Sequence, residues 1–291
     1  MTEAPVVGFV GLGRMGVPMA ARLASGGFTV RGYDAVAEAR SRASAAGVPV
    51  VDSLATAVDA EVVVLMLPDS SVVQSVVSDA RFRLRPGTLL LDMGSSEPMA
   101  TRALGESFAE AGVRMVDAPV SGGVRGAEEG RLTIMAGGSA DDVEAARPLL
   151  SLLGKVVHAG PLGAGDAVKA LNNLLSATHL WVTSEAMLVG QRFGIDPEVM
   201  LSVFNGSSGR SGSTDNKWPN FILPGSYDSG FGLRLMLKDM RIATDLARSC
   251  GLPSRLGEDA VRLWAEAAEG LDPAADHTEV ARYLASPGED T

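Results

Sequence analysis

The chain of 291 residues has few of the residues that form covalent or metal cross-links. Its single cysteine, Cys250, excludes an intrachain disulfide framework and is typical of a reducing cytosol. The three histidines, His158, His179 and His277, are far apart and lack the spacing of zinc ligands, so we predict no metal site. A chain of this length can instead bury a sizeable hydrophobic core, and it is long enough for two domains.

Positive charge and long apolar runs are also scarce. The 25 lysines and arginines are outnumbered by 35 acidic residues, and the resulting net charge of −10 argues against nucleic acid or an anionic membrane surface as the main partner. No window of membrane-spanning length is free of charge. The segment MTEAPVVGFVGLG lacks a basic region followed by a long apolar run, so we expect no signal peptide. These features predict a soluble, cytoplasmic protein without a membrane partner.

The first half of the chain alternates between short apolar runs and helical patterns. Strands at this spacing, separated by helices, predict a doubly wound parallel sheet with helices on both faces, which we assign to residues 1–162. The predicted strands are Val6–Val10, Phe28–Tyr33, Val62–Leu67, Thr88–Asp92, Val113–Val116, Arg131–Ala136 and Lys155–His158.

A glycine-rich segment joins the first predicted strand to the first predicted helix, in the order Gly11, Leu12, Gly13, Arg14, Met15, Gly16. In this context the three glycines permit a tight turn, a close approach of the backbone to a pyrophosphate, and close packing of the helix on the strand. The amino terminus of the helix then offers free N–H groups to the phosphates. The segment predicts a dinucleotide-binding domain of the Rossmann type.

Asp34 ends the second predicted strand, where an acidic residue meets the ribose of a bound dinucleotide. A carboxylate there accepts hydrogen bonds from the 2′- and 3′-hydroxyls and repels a 2′-phosphate. Arg31 precedes Asp34, Arg40 lies on the next predicted helix, and no arginine follows Asp34 directly. We therefore expect NAD as the cofactor, with NADP as the alternative.

Three further segments follow strands at the same predicted edge of the sheet. Met66, Leu67 and Pro68 turn above the expected cofactor, because proline cannot continue the strand. Ser95 or Ser96 lies where it can cap the helix that begins near Pro98, contact a ligand, or do both. The last segment contains Ser121, Gly122 and Gly123, which can expose consecutive N–H groups as an anion-binding nest or simply form a flexible turn.

The second half is predicted to be helical, and we assign residues 163–291 to an all-helical domain. Its first helix is expected to reach Phe193 and to link the two domains. Lys169, Asn172 and Asn173 share one stripe of this helix, which is either a solvated face or a polar site. Residues 207–227 are predicted to form a loop in which Trp218 either lines a substrate cleft or packs against a partner subunit.

Five motifs occur together and in order over nearly the whole chain: GFVGLGRMG at Gly8–Gly16, MLP at Met66–Pro68, DAPVSGG at Asp117–Gly123, GAGDAVKALNN at Gly163–Asn173 and FGLRLMLKDM at Phe231–Met240. In this combination the chain resembles the β-hydroxyacid dehydrogenase family, which includes 3-hydroxyisobutyrate dehydrogenase. The resemblance implies a Rossmann-type sheet domain and an all-α C-terminal domain joined by a long interdomain helix. It also implies a homodimer or homotetramer formed through the second half.

The resemblance assigns roles to the substrate-binding residues. It makes Lys169 the general acid/base, and Asn173 the residue that orients the substrate. Asn172 matches the neighbouring asparagine of the motif. Ser121, Gly122 and Gly123 are implied to bind the substrate carboxylate.

The cofactor-binding residues of the family map onto the glycine-rich segment, Asp34, Met66–Pro68, Ser95 and Phe231. Ser95 stands where the family has a threonine, a difference that keeps the hydroxyl. The last motif also implies that Lys238 reaches the nicotinamide and the substrate, with Asp239 fixing its position.

The function implied is an NAD(P)-dependent oxidoreductase that transfers a hydride between the nicotinamide and a small β-hydroxyacid, with 3-hydroxyisobutyrate as the best single candidate. A lysine with an ordinary pKa is a poor base, and burial or a neighbouring cation is the usual way to make it an effective one. One alternative is a reductase of tartronate or succinate semialdehyde. Another is a non-catalytic NAD-binding sensor, which would have no use for Lys169, Asn173 and the Ser121 segment together.

Overall fold

The computed structural model of the protein describes residues 5–79, 82–252 and 254–286, which divide into two compact units. The first unit ends at Lys169 and the second begins at Ala170, so the division falls inside a long helix. The predicted boundary between residues 162 and 163 lies a few residues earlier, and this domain assignment stays a prediction. Residues 1–4 and 287–291 of the two predicted domains lie outside the described residues, as does the start of the segment used to judge the signal peptide.

The first unit is an eight-stranded sheet with helices between the strands. The strands lie in the order β2-β1-β3-β4-β5-β7-β6, with β8 paired to β7. The strands are β1 (Val6–Val10), β2 (Thr29–Tyr33), β3 (Val62–Leu65), β4 (Leu89–Asp92), β5 (Arg114–Asp117), β6 (Val120–Ser121), β7 (Leu132–Gly137) and β8 (Gly154–Gly160). The helices of this unit are α1 (Gly16–Ser25), α2 (Ala37–Ala45), α3 (Leu54–Val58), α4 (Ser70–Val77), α5 (Pro98–Glu110), α6 (Gly123–Glu129) and α7 (Ala140–Leu153).

The predicted doubly wound sheet is confirmed, with one difference in strand direction. Strands β1 to β5 pair in parallel, but β7 is antiparallel to both β5 and β6. The chain continues past β5 into β6 and turns back through α6, a helix too short to carry it to the opposite edge of the sheet. The longer helix α7 then makes the crossover that leaves β8 parallel to β7.

Alternate residues of the central strands face two separate hydrophobic clusters. Phe9 and Leu91 lie in one cluster with the apolar residues of α1 and α7, whereas Leu65 and Leu90 lie in the other with those of α3. Because successive side chains of a strand point to opposite faces, this division means that the sheet is covered on both sides. Polar residues lie at the carboxyl ends of the strands, as Asp92 does in β4 and Asp117 in β5.

The second unit is helical. The long helix α8 (Ala164–Phe193) begins in the sheet unit and continues through the division. It is followed by α9 (Pro197–Asn205), a π-helix (Ser213–Ile222), α10 (Leu233–Ser249), α11 (Arg255–Gly270), a 3₁₀ helix (His277–Glu279) and α12 (Val280–Ala285). The predicted end of α8 at Phe193 is confirmed. No helix within the described residues is long and apolar enough to cross a membrane.

The prediction of a loop over residues 207–227 is wrong for much of its length, because the π-helix occupies its centre. Trp218 is only 3% exposed and belongs to the hydrophobic cluster of the helical unit. Its indole N–H donates to the hydroxyl of Ser184, 3.3 Å away. Trp218 therefore packs within its own unit instead of lining a cleft or meeting a partner subunit.

Candidate active site

The glycine-rich segment forms the turn between β1 and α1. Gly11 has a φ of 100°, and its N–H donates to the carbonyl oxygen of Tyr33 at 2.9 Å. A Cβ added at Gly16 would overlap the carbonyl oxygen of Gly11, whereas one added at Gly13 would meet nothing within 4 Å. Gly16 is thus required for close packing of α1, and Gly13 faces open space, where a pyrophosphate can approach the backbone.

The other residues of this segment differ in their surroundings. The side chain of Leu12 is buried in the core of the sheet unit and that of Met15 packs against the same core, so only their backbones can face a phosphate. Arg14 is exposed. The segment therefore offers a ligand mainly backbone N–H groups and one exposed cation.

Asp34 directly contacts the glycine-rich turn. Its carboxylate accepts from the N–H of Leu12 at 2.8 Å and from the N–H of Val36 at 2.9 Å. Arg40, which the sequence places one helix later, donates to the backbone oxygen of Asp34 at 2.6 Å and lies over the ring of Tyr33. The predicted ribose position thus combines the carboxylate of Asp34 with a cation beside the backbone of the same residue.

The segments after β3 and β4 lie against each other at the same edge of the sheet. Met66 donates its N–H to the carbonyl oxygen of Val10 at 2.8 Å, and a Cβ added at Gly94 would lie 2.6 Å from the carbonyl oxygen of Leu67. Pro68 is exposed at the end of this turn, and Ser95 is partly buried. The predicted cofactor residues of β1 to β4 therefore follow the carboxyl ends of neighbouring strands, as the parallel topology requires.

The capping role considered for Ser95 and Ser96 is wrong. Glu97 is the N-cap residue of α5, and its side chain makes no capping hydrogen bond. Ser96 instead donates its hydroxyl to Asp92 at 2.7 Å and its N–H to Asp166 at 3.2 Å. Ser96 is held by buried carboxylates because the turn after β4 directs it into the sheet unit and away from the start of α5.

Those carboxylates form a buried group that the sequence reasoning did not single out. Asp92, Asp117 and Asp166 are all buried, and Thr101 donates to Asp166 at 2.7 Å. Burial, and then repulsion from Asp92 and Asp117, raise the pKa of Asp166 well above its usual value. Burial also raises the pKa of Asp117, although backbone N–H groups that donate to it oppose the shift. The fold therefore favours the protonated form of Asp166.

Asp117 anchors the beginning of α8. Its carboxylate accepts from the N–H of Gly163 at 2.7 Å and from the N–H of Asp166 at 2.8 Å. Asp117 ends β5 and is paired in register with Asp92, which ends β4, so adjacent aspartates at the ends of apolar strands were the available signal. This carboxylate fixes the helix turn that leads to Lys169.

The segment predicted to bind the substrate carboxylate consists of the end of a strand and the start of a helix. Ser121 ends β6, and α6 begins at Gly123. Gly122 and Gly123 are exposed and have φ values of 132° and 63°, a conformation that favours glycine. The segment is therefore a sharp, exposed bend without side chains at its two glycines, and its role as an anion-binding nest stays a prediction.

Two of the three residues of the polar stripe on α8 are buried. Lys169 is 8% exposed and Asn173 is 5% exposed, which excludes the solvated-face interpretation. At about 100° per residue, the two side chains leave the helix roughly 40° apart. Asn172 is exposed, and its amide donates to Asn173 Oδ1 at 3.2 Å.

Within the helical unit, Asp239 joins two of the predicted substrate residues. Asn173 donates its amide to Asp239 Oδ2 at 2.6 Å, and Lys238 Nζ lies 3.0 Å from Asp239 Oδ1. Asp239 is buried and Lys238 is partly buried. One carboxylate on α10 thus orients both an amide on α8 and the neighbouring lysine.

Comparisons with known proteins cover nearly the whole chain. Residues 6–160 match the family model described as the NAD-binding domain of 6-phosphogluconate dehydrogenase. Residues 163–284 match the model described as NAD-binding of NADP-dependent 3-hydroxyisobutyrate dehydrogenase.

Similar proteins include 2-(hydroxymethyl)glutarate dehydrogenase of Eubacterium barkeri, which is 36% identical over 87% of this chain and 86% of that protein. The NAD-dependent L-serine dehydrogenase of Pseudomonas aeruginosa is 37% identical over 89% of this chain and 90% of that protein. Among solved structures, Mycobacterium tuberculosis 3-hydroxyisobutyrate dehydrogenase with L-serine has a TM-score of 0.91 and 32% identity, covering 97% of this chain and all of that one.

Proposed function

Because this chain belongs to the β-hydroxyacid dehydrogenase family, we propose that it transfers a hydride between NAD(P) and a small β-hydroxyacid, with Lys169 as the general acid/base. The observation that carries this proposal is the buried pair of Lys169 and Asn173 on one face of α8. A buried lysine beside a substrate-orienting amide is suited to accept a proton from a hydroxyl as the neutral amine and to donate one to a carbonyl oxygen as the ammonium. A non-catalytic NAD-binding protein would not need this pair of buried polar residues.

The residues of the sheet unit fit a bound dinucleotide. The open space at Gly13 and the N–H groups of the turn suit the pyrophosphate, while Met66–Pro68 and Ser95 would line the nicotinamide side. The bound nicotinamide supplies the hydride acceptor or donor. The carboxylate of Asp34 favours NAD, and the guanidinium of Arg40 beside it keeps NADP as the alternative.

The substrate carboxylate would be held by Ser121, Gly122 and Gly123, where the exposed bend leaves the backbone accessible. Asn173 would orient the reacting hydroxyl, and Asn172 supports it from the helix surface. Lys238 adds a positive charge that Asp239 holds in place. These polar groups recognise the carboxylate and the reacting oxygen, which 3-hydroxyisobutyrate, L-serine and related acids share, so they do not select one of these acids. Reduction of tartronate or succinate semialdehyde is the same class of reaction in the opposite direction.

We also propose that the protein is a homodimer or homotetramer. Five apolar residues of α8 within the helical unit are between 43% and 84% exposed, and they fall within an arc of about 40° on the helix. Such a continuous apolar stripe is typical of a protein interface. The members of the stripe are Leu171, Leu175, Val182, Val189 and Phe193. Sedimentation velocity should give a multiple of the 30.1 kDa chain mass, and a Val182→Glu, Val189→Glu variant should shift it toward the monomer.

The cytoplasm is the compartment we propose, because the free cysteine Cys250 is exposed and would be preserved in a reducing environment. Cell fractionation with an antibody to the protein tests this assignment.

The first experiment measures initial rates of NAD(P)H formation with 3-hydroxyisobutyrate, L-serine, 2-(hydroxymethyl)glutarate, 3-hydroxypropionate, glycerate and 4-hydroxybutyrate, and of NAD(P)H consumption with tartronate and succinate semialdehydes. Lys169→Ala should lower kcat by about 10²–10⁴-fold while NAD(P) affinity stays near that of the wild type. The matched control is Lys155→Ala, which removes an exposed lysine of β8 and should leave kcat unchanged.

Two results would contradict the proposal. Unchanged kcat in Lys169→Ala would remove the acid/base assignment. NAD(P) binding without turnover of any substrate in the panel would favour the sensor interpretation.

A further inference from the structure

The segment just before α10 has an uncommon backbone. Tyr227 has a φ of 47°, which is unfavourable for a residue with a side chain, and Gly230 has a φ of 88°. Such a conformation persists only when its surroundings hold it. Phe231 follows directly, so the direction of its side chain depends on what fixes this turn.

One carboxylate holds the turn. Asp276 Oδ2 accepts from the N–H of Gly230 at 2.8 Å and from the N–H of Phe231 at 3.1 Å. The hydroxyl of Ser229 lies 2.8 Å from Asp276 Oδ1 and 3.0 Å from Oδ2. Thr278 donates its N–H and its hydroxyl to Oδ1, which orients the carboxylate itself. Asp276 thus satisfies three successive residues of the turn from a distant part of the chain.

The residues next to Asp276 hold Phe231 as well. The N–H of His277 donates to the carbonyl oxygen of Phe231 at 2.9 Å, and the ring nitrogen Nδ1 lies 3.0 Å from the same oxygen. The two rings meet edge to face, with centroids 5.8 Å apart. The N–H of Leu233, the first residue of α10, donates to the carbonyl oxygen of Ala275 at 2.8 Å. Both the backbone and the ring of Phe231 are therefore set by residues 275–277.

We infer that Asp276 is a positioning residue of the cofactor site, which fixes the Ser229–Phe231 turn so that Phe231 is presented to the nicotinamide cofactor. This inference rests on the proposed function and on the family resemblance, which maps Phe231 onto a cofactor-binding position. Asp276 acts through Phe231, because its hydrogen bonds hold the turn that carries that residue. When the turn samples other conformations, the apparent affinity falls in proportion to the fraction of molecules that remain competent.

The test compares Asp276→Asn with the wild type in KM for NAD, in kcat and in NADH binding by calorimetry. An amide keeps the shape of the carboxylate but replaces one acceptor oxygen with an N–H donor group. We expect KM and Kd to rise about tenfold, equivalent to about 1.4 kcal/mol, with kcat changed by less than about threefold. Asp272→Asn is the matched control, because its exposed carboxylate accepts from the N–H of Ala274 outside the Ser229–Phe231 turn and should leave all three values unchanged when replaced.

Two further measurements separate positioning from general stability. Ser229→Ala removes the hydroxyl donation and keeps both backbone bonds, so it should raise KM in the same direction by a smaller factor. In a double-mutant cycle, Asp276→Asn should add little to the KM increase caused by Phe231→Ala. Hydrogen exchange should be faster over residues 228–233 of Asp276→Asn and unchanged in α11.

The outcomes distinguish this inference from the proposed function. If the wild type binds neither NAD nor NADP, the proposed function is overturned, and the role of Asp276 with it. If the wild type binds and turns over while Asp276→Asn shows unchanged KM and Kd, or the cycle is additive, the proposed function stands and the positioning role is overturned. A variant that only unfolds more easily, with unchanged KM, also overturns the positioning role.

Discussion

His277 makes the stability of the helical unit depend on pH. The side chain is 1% exposed, and burial together with the charge of Lys217 lowers its pKa from 6.5 to about 4, against the opposing effects of Asp276 and the carbonyl oxygen of Phe231. The folded state therefore favours neutral histidine more than the unfolded chain does. Its contribution to stability is fully present above pH 6.5 and is lost as the pH falls through the folded-state pKa.

The size of this effect follows from the shift in pKa. A difference of 6.5 minus about 4, at 1.36 kcal/mol for each pH unit, corresponds to about 3 kcal/mol of unfolding free energy. Most of the loss falls between pH 6.5 and 4.5. The pKa of Asp276, which faces the ring, is lowered from 3.8, so its own titration lies below this range.

Tryptophan fluorescence is the appropriate assay, because all three tryptophans, Trp181, Trp218 and Trp264, lie in the helical unit. Urea unfolding at intervals between pH 7.5 and 4.5 should show the wild type losing about 2–3 kcal/mol more than His277→Asn, whose amide cannot be protonated in this range. The comparison of slopes removes the loss of packing that the variant suffers at every pH. Parallel curves for the two proteins would refute the argument, since they would mean that His277 takes up its proton as readily in the folded state as in the unfolded chain.

Three further predictions concern the sheet unit. Gly13→Ala should weaken NAD binding and leave the midpoint of thermal unfolding unchanged. Gly16→Ala should lower that midpoint, because the added Cβ would overlap the carbonyl oxygen of Gly11. Equal effects of the two variants on the midpoint would contradict the packing argument. The stability of Asp166→Asn relative to the wild type should increase in circular-dichroism unfolding as the pH rises above 3.8, because the raised pKa of Asp166 makes the wild type lose stability in that range. A constant difference would show that Asp166 ionises as readily in the folded state as in the unfolded chain. Asp34→Ala should raise the ratio of kcat/KM for NADP to that for NAD by about tenfold or more, and an unchanged ratio would remove Asp34 from the ribose site.

Several elements were predictable because their signals are local. The apolar run before Gly11 and the glycines after it predict the strand, the turn and the start of α1, and the helical pattern from Gly163 predicts α8 to Phe193. These features depend on side-chain period and on backbone conformations available to few residue types. The order of five motifs added the family, which the similarity to known proteins confirms.

Other elements were not predictable because they depend on distant partners. The predicted loop over residues 207–227 contains a π-helix, since Trp218 reaches the hydroxyl of Ser184 and gains a buried position. The antiparallel direction of β7 follows from the short return through α6. Neither Ser95 nor Ser96 is the N-cap of α5, because the turn after β4 brings Ser96 to buried carboxylates.

The sequence by itself determined the alternation of strands and helices, the glycine-rich turn and the residue types that the chemistry requires. Each of these depends only on residues within one turn or one strand. The tertiary structure decided which of those residues are taken out of water. It buried Lys169 and Asn173 while leaving Leu175 of the same helix exposed, which reverses the usual assignment of polar and apolar faces. It also buried Asp166 beside two other carboxylates, which raises the pKa of Asp166, and it brought Asp276 to the turn before α10. Desolvation and long-range hydrogen bonds arise only when separate parts of the chain meet, so no local pattern contains them.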